Sequence, residues 1–320
     1  MCGIFSYFCR SNINVDKKSV IEAALKIQHR GPDETHIIHS KFPVNTYRPD
    51  GFDKFHLIFH RLMVNGLSPE SSQPLVYPHG KPRYYLLCNG EIYNYKDLIT
   101  KYNLLSHYHS SSDCEIVLHL FNLVTEGKLT MEEMLLELRG VFAFVIVDTV
   151  SKKVTLARDP IGVRSLYYSF DDKGFGLCSE LKGLYDLAEP SSINQFPAGC
   201  YGTVDCSQDD PSLDVKSYYS IMESSSFTTE SMDTVAENIL SLLSTAVQRR
   251  IMCDRTTESG VPAVGAYLSG GFDSSAIASL LSKIYPGQLE TFSIGFKNAP
   301  DLIKARMVAE YIGSKHHEVV

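Results

Sequence analysis

Two short stretches of this sequence carry residues arranged for chemistry. The first is the opening, MCGIFSYFCR, in which Cys2 stands directly behind the start methionine and ahead of an apolar run. Chain ends are usually frayed and polar unless something ties them down. An apolar end therefore reads as a strand bound for a core, with a thiol at its tip. Targeting does not account for it: a secretory signal needs a preceding basic region and a small-residue cleavage site, and N-myristoylation needs glycine at position 2. A small buried residue at a strand end is the plain alternative for Cys2, and it leaves the terminal position unexplained. The second stretch is LSGGFDSS, Leu268 to Ser275, between a predicted strand and a predicted helix. Gly270 and Gly271 let the backbone approach a ligand that a Cβ would obstruct. Ser269, Ser274 and Ser275 add hydroxyl donors, and the helix start adds free N–H groups at its positive end. Together they form an anion cradle suited to phosphates. It is not a Walker A loop, because that spacing and its lysine are missing. Asp273 beside an anion implies a cation, so Mg²⁺ is expected there. A capped strand-to-helix turn is the competing reading; two glycines, three serines and an aspartate at one junction favour the cradle.

The elements that must position these residues fall into two patterns. From Met1 to about Asp205 the chain is rich in short strand candidates, among them CGIFSYF, FHLIF, YYLLCNGEIY, VFAFVIVD, KVTLARD, SLYYSF, FGLCS and CYGTV. Turn-forming residues punctuate them, as buried sheets require. Two helical patterns interrupt: KKSVIEAALKIQH, with Val20, Ala23 or Ala24, and Ile27 on one face, and DCEIVLHLFNLV. Residues 2–206 thus read as a mixed α+β domain. Residues 207–232, heavy in Ser, Asp, Thr and Glu, read as a linker with one extended segment, VKSYYSIM. Across 233–320 helix and strand alternate, which predicts a parallel α/β sheet with helices on its faces. The last helix pattern is expected to end at His316-His317.

Composition narrows the class. At 320 residues there is room for two domains, and 44% hydrophobic with 21% charged residues is ordinary for a soluble protein. A formal charge of −7 argues against nucleic-acid or anionic-membrane partners, and no apolar run approaches the roughly 20 residues of a membrane span. Eight cysteines without a C-x-x-C pair suggest reduced thiols in the cytoplasm. His36, His39 and His119 read as surface or satisfied polar residues, and none of the histidines as a metal ligand.

SGG-x-DSS is similar to the pyrophosphate loop of enzymes that split ATP to AMP and pyrophosphate, and Met-Cys-Gly-Ile resembles the start of class II glutamine amidotransferases. Together they resemble the family of glutamine-hydrolysing asparagine synthetases. HRGPDE, HRLMV, QPL, NGEIYN, SSDCE, GVFAF, ARDPIGVRSLYY, SELKGL and FPAG stand in that family's order along the chain. The resemblance implies an N-terminal nucleophile αββα sandwich followed by a parallel-sheet pyrophosphate-loop domain, here incomplete, since family members continue beyond Val320 with a lysine and acidic residues. With Met1 removed, Cys2 would carry both the nucleophilic thiol and an α-amine as base, the latter titrating near ~7.7–8.0. Asn89 and Gly90 would form the oxyanion hole. Arg61 would hold the glutamine carboxylate, Asp113 and Glu91 its ammonium, and Arg61, Leu62, Met63, Val64 and Asn65 would line the pocket. The plain readings are a surface ion pair for Arg61, a hairpin turn for Asn89-Gly90 and a helix N-cap for Asp113.

ATP would meet Leu268, Ser269, Gly270, Gly271, Asp273, Ser274, Ser275, Ile294 and Gly295, with Asp273 toward Mg²⁺. The implied reaction makes asparagine from aspartate, ATP and glutamine-derived ammonia, with a homodimer left open. Amidation of another carboxylate, or a glutamine- or nucleotide-sensing role, are the alternatives. Phe272, Ser165 and RLMVNG depart from the family pattern and bear on substrate fine-tuning.

Overall fold

A strand covered on both faces must be apolar at consecutive positions, not alternate ones, and the first strand shows this. In a computed structural model, which describes residues 1–10, 13, 15–42, 52–208, 211–221 and 228–320, the strands are β1 (Gly3–Arg10), β2 (Glu34–Lys41), β3 (Phe52–Arg61), β4 (Leu75–Tyr77) and β5 (Tyr84–Ile92). There follow β6 (Gly140–Asp148), β7 (Lys153–Arg158), β8 (Tyr167–Phe170), β9 (Gly174–Cys178), β10 (Ile193–Gln195), β11 (Cys200–Asp205) and β12 (Leu213–Ser217). Last come β13 (Gly265–Tyr267), β14 (Glu290–Ile294) and β15 (Lys315–Val319). The helices are α1 (Lys17–Leu25), α2 (Tyr95–Lys101), α3 (Ile116–Thr125), α4 (Met131–Glu137), α5 (Met232–Arg249), α6 (Phe272–Ile284) and α7 (Pro300–Ile312). The chain divides into two compact units, Met1–Ser224 and Ser225–Val320.

The first unit holds two six-stranded sheets, in the orders β10-β8-β9-β1-β3-β2 and β12-β11-β7-β6-β5-β4. Their strands pair antiparallel throughout. Alternation along each strand sorts side chains between layers. Ile4 and Phe8 of β1 meet Phe55, Leu57 and Phe59 of β3 and Leu87, Ala143, Val145 and Leu156 of the other sheet, in a core between the sheets. Phe5, Tyr7 and Cys9 point the other way and pack on Val20, Ala23, Ala24 and Ile27 of the α1 segment. In β6, Phe142, Phe144 and Ile146 face α3 and α4 while Ala143, Val145 and Val147 face the intersheet core. The result is a four-layer αββα sandwich.

Register sets the site. Gly3 lies opposite His60, so Cys2 arrives beside Arg61 and Leu62. On the second sheet Asn89 lies opposite Ala143 and Gly90 opposite Phe142. The hairpin-turn alternative for Asn89-Gly90 fails, because both sit inside β5. Strands β2, β4 and β10 and helices α2 and α4 lack a clear periodicity and are found only in the structure. The extended segment foreseen after residue 206 begins with β12, an edge strand on β11, and the Tyr218 hydroxyl donates to the Arg158 carbonyl at 2.8 Å. The remainder of VKSYYSIM, at Met222, lies outside the described residues.

In the second unit β13, β14 and β15 form a parallel sheet, joined by α6 and α7 as the alternation predicts. His316 and His317 do not end a helix. α7 stops at Ile312, capped by Gly313 in the left-handed conformation, and both histidines lie in β15, where Phe292 stacks on His317.

Candidate active site

The N-terminal strand is tied at its first residues. The Ile4 N–H donates to Ser179 Oγ and the Ser179 N–H to the Ile4 carbonyl, both at 2.9 Å. Arg30 Nε donates to the Cys2 carbonyl at 2.9 Å, while its Nη1 is paired with Glu180 at 2.9 Å. Arg30 belongs to HRGPDE, yet a lone arginine in a motif gives no sign that it will hold a chain end. The Cys2 sulfur accepts from the Leu62 N–H at 3.4 Å. Burial pushes the Cys2 thiol up, against which the Leu62 N–H, the terminal amine and Arg164 pull down. The amine, carried here by Met1, is itself lowered, chiefly by burial.

Cys2 opens on a cavity of about 210 Å³. Its walls include Arg61, Leu62, Val64, Asn65, Asn89, Gly90, Glu91 and Asp113. Met63 is not among them, and its N–H is bound by the Asp33 carboxylate at 2.7 Å. Gln73 and Arg164, not singled out from sequence, also line the cavity. Gln73 clamps β5 with two bonds, accepting from the Cys88 N–H at 2.6 Å and donating to the Cys88 carbonyl at 3.0 Å.

Each expected group has an environment. The Arg61 guanidinium is buried, with Nη1 donating to Glu34 at 3.1 Å and to Ser72 Oγ at 3.2 Å, and Nη2 donating to the Gly66 carbonyl. It is therefore an internal, oriented cation at the cavity wall and not a surface pair. Burial would raise Glu34, but bonds from Ser72 and Arg61 outweigh it and hold the carboxyl below its ordinary range. Asn89 is buried, and its Nδ2 has no hydrogen-bond partner among the described residues. An unmet buried donor costs about 1–3 kcal/mol. Gly90 is fixed by close packing: a Cβ there would stand 2.5 Å from the Val141 carbonyl oxygen and 2.8 Å from Phe142 Cα.

Two carboxylates complete the wall. Asp113 does not cap a helix; Ser112 does so, accepting from the Cys114 N–H. Asp113 instead accepts from the Ile92 N–H at 2.6 Å. Glu91, bound by Asn65 Nδ2 at 2.9 Å, is pushed up to about 7 by burial and then by the charge of Asp113. One cation placed near both would relieve that repulsion. Across the cavity's own residues, then, are a thiol, an unpaired amide donor, a fixed guanidinium and two mutually repelling carboxylates.

The second predicted site lies at the carboxyl ends of β13 and β14, where parallel sheets open a crevice for ligands. Gly270 has φ +75°, and a Cβ would fall 2.6 Å from the Ala305 backbone nitrogen, so no other residue fits without strain. Ser269 and Ser274 share a hydroxyl contact at 3.0 Å, and the Ser274 and Ser275 hydroxyls donate to the Gly271 carbonyl at 3.1 and 2.7 Å. Gly271 caps α6 without a side-chain acceptor, which leaves the first N–H groups to a ligand. Asp273 is exposed on the first turn, and Phe272 points to solvent. Leu268 is buried and bonded through its N–H to the Phe292 carbonyl at 2.8 Å; it shapes the loop from beneath. Ile294 is exposed and the Gly295 N–H goes to the Val319 carbonyl at 3.0 Å. No cluster of three metal-binding side chains exists among the described residues, and Asp273 supplies one carboxylate.

The fold is that of an N-terminal nucleophile sandwich, with a thiol at the tip of its first strand. A solved glutamine phosphoribosylpyrophosphate amidotransferase from B. subtilis shares the fold, with TM-score 0.53 at 13% identity, over 99% of this chain and 90% of that one. A structure described as the allosteric regulatory enzyme of purine biosynthesis superposes with TM-score 0.52 at 14% identity, covering 99% and 80%. Residues 1–213 match the profile of the glutamine amidotransferase domain family, and the chain belongs to that family. Residues 238–320 match the profile described as asparagine synthase. Glutamine-hydrolysing asparagine synthetase of Gallus gallus is 36% identical over 352 residues, covering all of this chain and 56% of that protein. The Homo sapiens enzyme of that name is 34% identical with the same coverage. The chain thus spans a little over half the length of these relatives.

The raised Glu91 carboxyl has a measurable consequence. It stabilises the fold while protonated, and that contribution is lost as pH climbs from its ordinary range near 4.5 through about 7. Glu91→Gln should therefore flatten the decline in urea stability between pH 5 and pH 8 by up to about 3 kcal/mol. Parallel pH profiles for the two proteins would refute the assignment.

Proposed function

We propose that the chain is the glutaminase and nucleotide-binding portion of a glutamine-hydrolysing asparagine synthetase, with 2–206 and 233–320 as its functional parts and 207–232 between them. The Asn89 amide in the Cys2 cavity carries this reading, because a buried donor that no protein group satisfies is available to a substrate oxygen. Arg61 takes the glutamine α-carboxylate, and Asp113 with Glu91 takes its ammonium. That orientation sends the side-chain amide toward Cys2.

The Cys2 thiol, its proton passed to the α-amine exposed by removal of Met1, attacks the amide carbon. Charge building on the amide oxygen is met by Asn89 Nδ2 and the Gly90 N–H. Ammonia departs with the proton returned by the α-amine, leaving a γ-glutamyl thioester that water hydrolyses to glutamate. Arg30 acts by position, holding the Cys2 carbonyl so that thiol and amine face the cavity.

In the second part the Ser269–Ser275 loop receives the phosphates of ATP, and Asp273 would hold Mg²⁺, which supplies charge neutralisation there when bound. Leu268, Ile294 and Gly295 shape the loop's surroundings. Aspartate activated as its β-adenylate takes up the ammonia, giving asparagine, AMP and pyrophosphate. The 36% identity to the Gallus gallus enzyme across the whole chain supports aspartate as the acceptor. No helix among the described residues is long and apolar enough to cross a membrane, and eight cysteines outside any disulfide suit the cytoplasm.

Two measurements test this. Asn89→Ala should lower kcat for glutamate release about 100- to 1,000-fold with little change in KM, the loss expected for one oxyanion donor; an unchanged kcat would remove Asn89 from the reaction. Ser269→Ala and Asp273→Asn should each weaken ATP binding about tenfold and spare glutamine hydrolysis. Unaltered ATP affinity in both variants would contradict the phosphate site.

A further inference from the structure

One cation on the cavity wall has no task in the glutaminase reaction. Arg164 lines the same cavity of about 210 Å³ as Cys2, Asn89 and Gly90. Its Nε is buried without a hydrogen-bond partner, and its guanidinium is in no ion pair, among the described residues. Arg61, the other guanidinium of the wall, is by contrast engaged by Glu34, Ser72 and the Gly66 carbonyl. Burying a charged donor without a partner costs stability, which a visiting anion would recover.

Hydrogen bonds fix the Arg164 backbone at the reacting end of the cavity. Its N–H donates to Asp159 Oδ2 at 3.1 Å, and the same oxygen accepts from the Phe142 N–H at 3.2 Å. Phe142 lies opposite Gly90 in the β5–β6 ladder. The Arg164 carbonyl accepts from Arg158 Nε at 2.6 Å. The next residue, Ser165, donates through Oγ to the Ser179 carbonyl at 2.7 Å, and Ser179 is bonded to Ile4 in both directions at 2.9 Å. Two short chains of contacts thus run from Arg164, one to the strand that Cys2 precedes and one to the pairing partner of Gly90. Burial dominates the titration of Cys2, the terminal amine and Glu91, and the Arg164 charge acts on all three.

We propose that the Arg164 guanidinium receives the carboxylate that hydrolysis creates at this end, the γ-carboxylate of glutamate, and so sets the balance between holding product and holding substrate. The inference rests on the glutaminase reading above. In the closing step water adds its oxygen to the thioester carbon, and the C–S bond breaks with its electron pair on sulfur. One water proton goes to that sulfur and the other to the α-amine, leaving a carboxylate where the substrate had a neutral amide. Glutamine and glutamate share their α-groups and differ in charge only there. The new charge forms in a cavity that already holds Asp113 and Glu91, so it needs a cation of its own. A guanidinium meets a carboxylate with a planar pair of N–H donors and has less to offer a neutral amide.

The test uses the full chain with Cys2→Ala, which leaves glutamine intact, and measures glutamine and glutamate binding by calorimetry. Arg164→Gln in that background should lower the ratio of glutamate to glutamine affinity about ten- to a hundredfold, the scale of one charge-assisted pair. Arg164→Met, a second neutral variant, should do the same and decides the matter if Arg164→Gln does not fold. Arg164→Lys keeps the charge without the planar fork and should keep most of the ratio. An unchanged ratio in the neutral variants overturns the inference, whether both affinities hold or both fall, because equal loss assigns Arg164 to a group the two ligands share or to the fold. A lysine variant no better than the neutral ones overturns it as well. Failure of the chain with Arg164 intact to bind either amino acid would instead contradict the glutaminase reading itself.

Discussion

Fixing a chain end costs about 1–2 kcal/mol of backbone entropy per residue, and a residue there has no neighbour on one side to share that cost. β1 meets it by burying both faces, between α1 and the intersheet core, and by pairing with β3 and β9 at once. Arg30 then grips the Cys2 carbonyl while anchored to Glu180. The positions of Leu62 beside the sulfur and of Arg61 at the cavity wall follow from the β1–β3 register. A slip of one residue would turn Cys2 to the opposite face and dismantle the site without altering a single side chain.

Charge is distributed in the cavity as an amino acid would require. At one wall a guanidinium is held rigid by Glu34, Ser72 and a carbonyl. At another, burial and then the charge of Asp113 push Glu91 to about 7. The cation is pre-oriented, so little freedom is lost on binding an anion, while the carboxylates are better off with an ammonium between them. Burial opposes ionisation of the Cys2 thiol, and a nearby base that lifts the proton only as attack proceeds fits such an environment.

Much of this architecture could be read from residue patterns. Continuous apolar runs such as VFAFVIVD predicted strands covered on both faces, and the βαβ alternation after residue 232 predicted the parallel sheet. Gly270 was recognised as a backbone requirement, though the sequence offered its ligand as the reason; the structure adds a positive φ and the close approach of α7. What escaped depends on pairing between distant segments. Asn89-Gly90 has turn composition, yet Gly90 is demanded by the β6 backbone across the ladder. Asp113 has cap composition, and its neighbour Ser112 takes that role while Asp113 turns to β5. Arg30, Gln73 and Arg164 stand in recognisable motifs, but only the folded register shows what they touch. The resemblance carried Met63 along with Arg61 to Asn65, whereas its N–H is held by the Asp33 carboxylate and it is absent from the cavity wall.

The proposed glutaminase reaction turns on Cys2 being both nucleophile and chain end. The most direct test compares the protein bearing an uncleaved N-terminal extension with the same preparation after cleavage to expose Cys2, following glutamate release from glutamine. The extension converts the α-amine to an amide without basic character, leaving a thiol whose ionisation burial opposes and nothing placed to return a proton to ammonia. Negligible hydrolysis is expected before cleavage and full activity after it, with unchanged folding. Equal rates before and after would show that another residue is the base, and would contradict the catalytic role of the N-terminal amine.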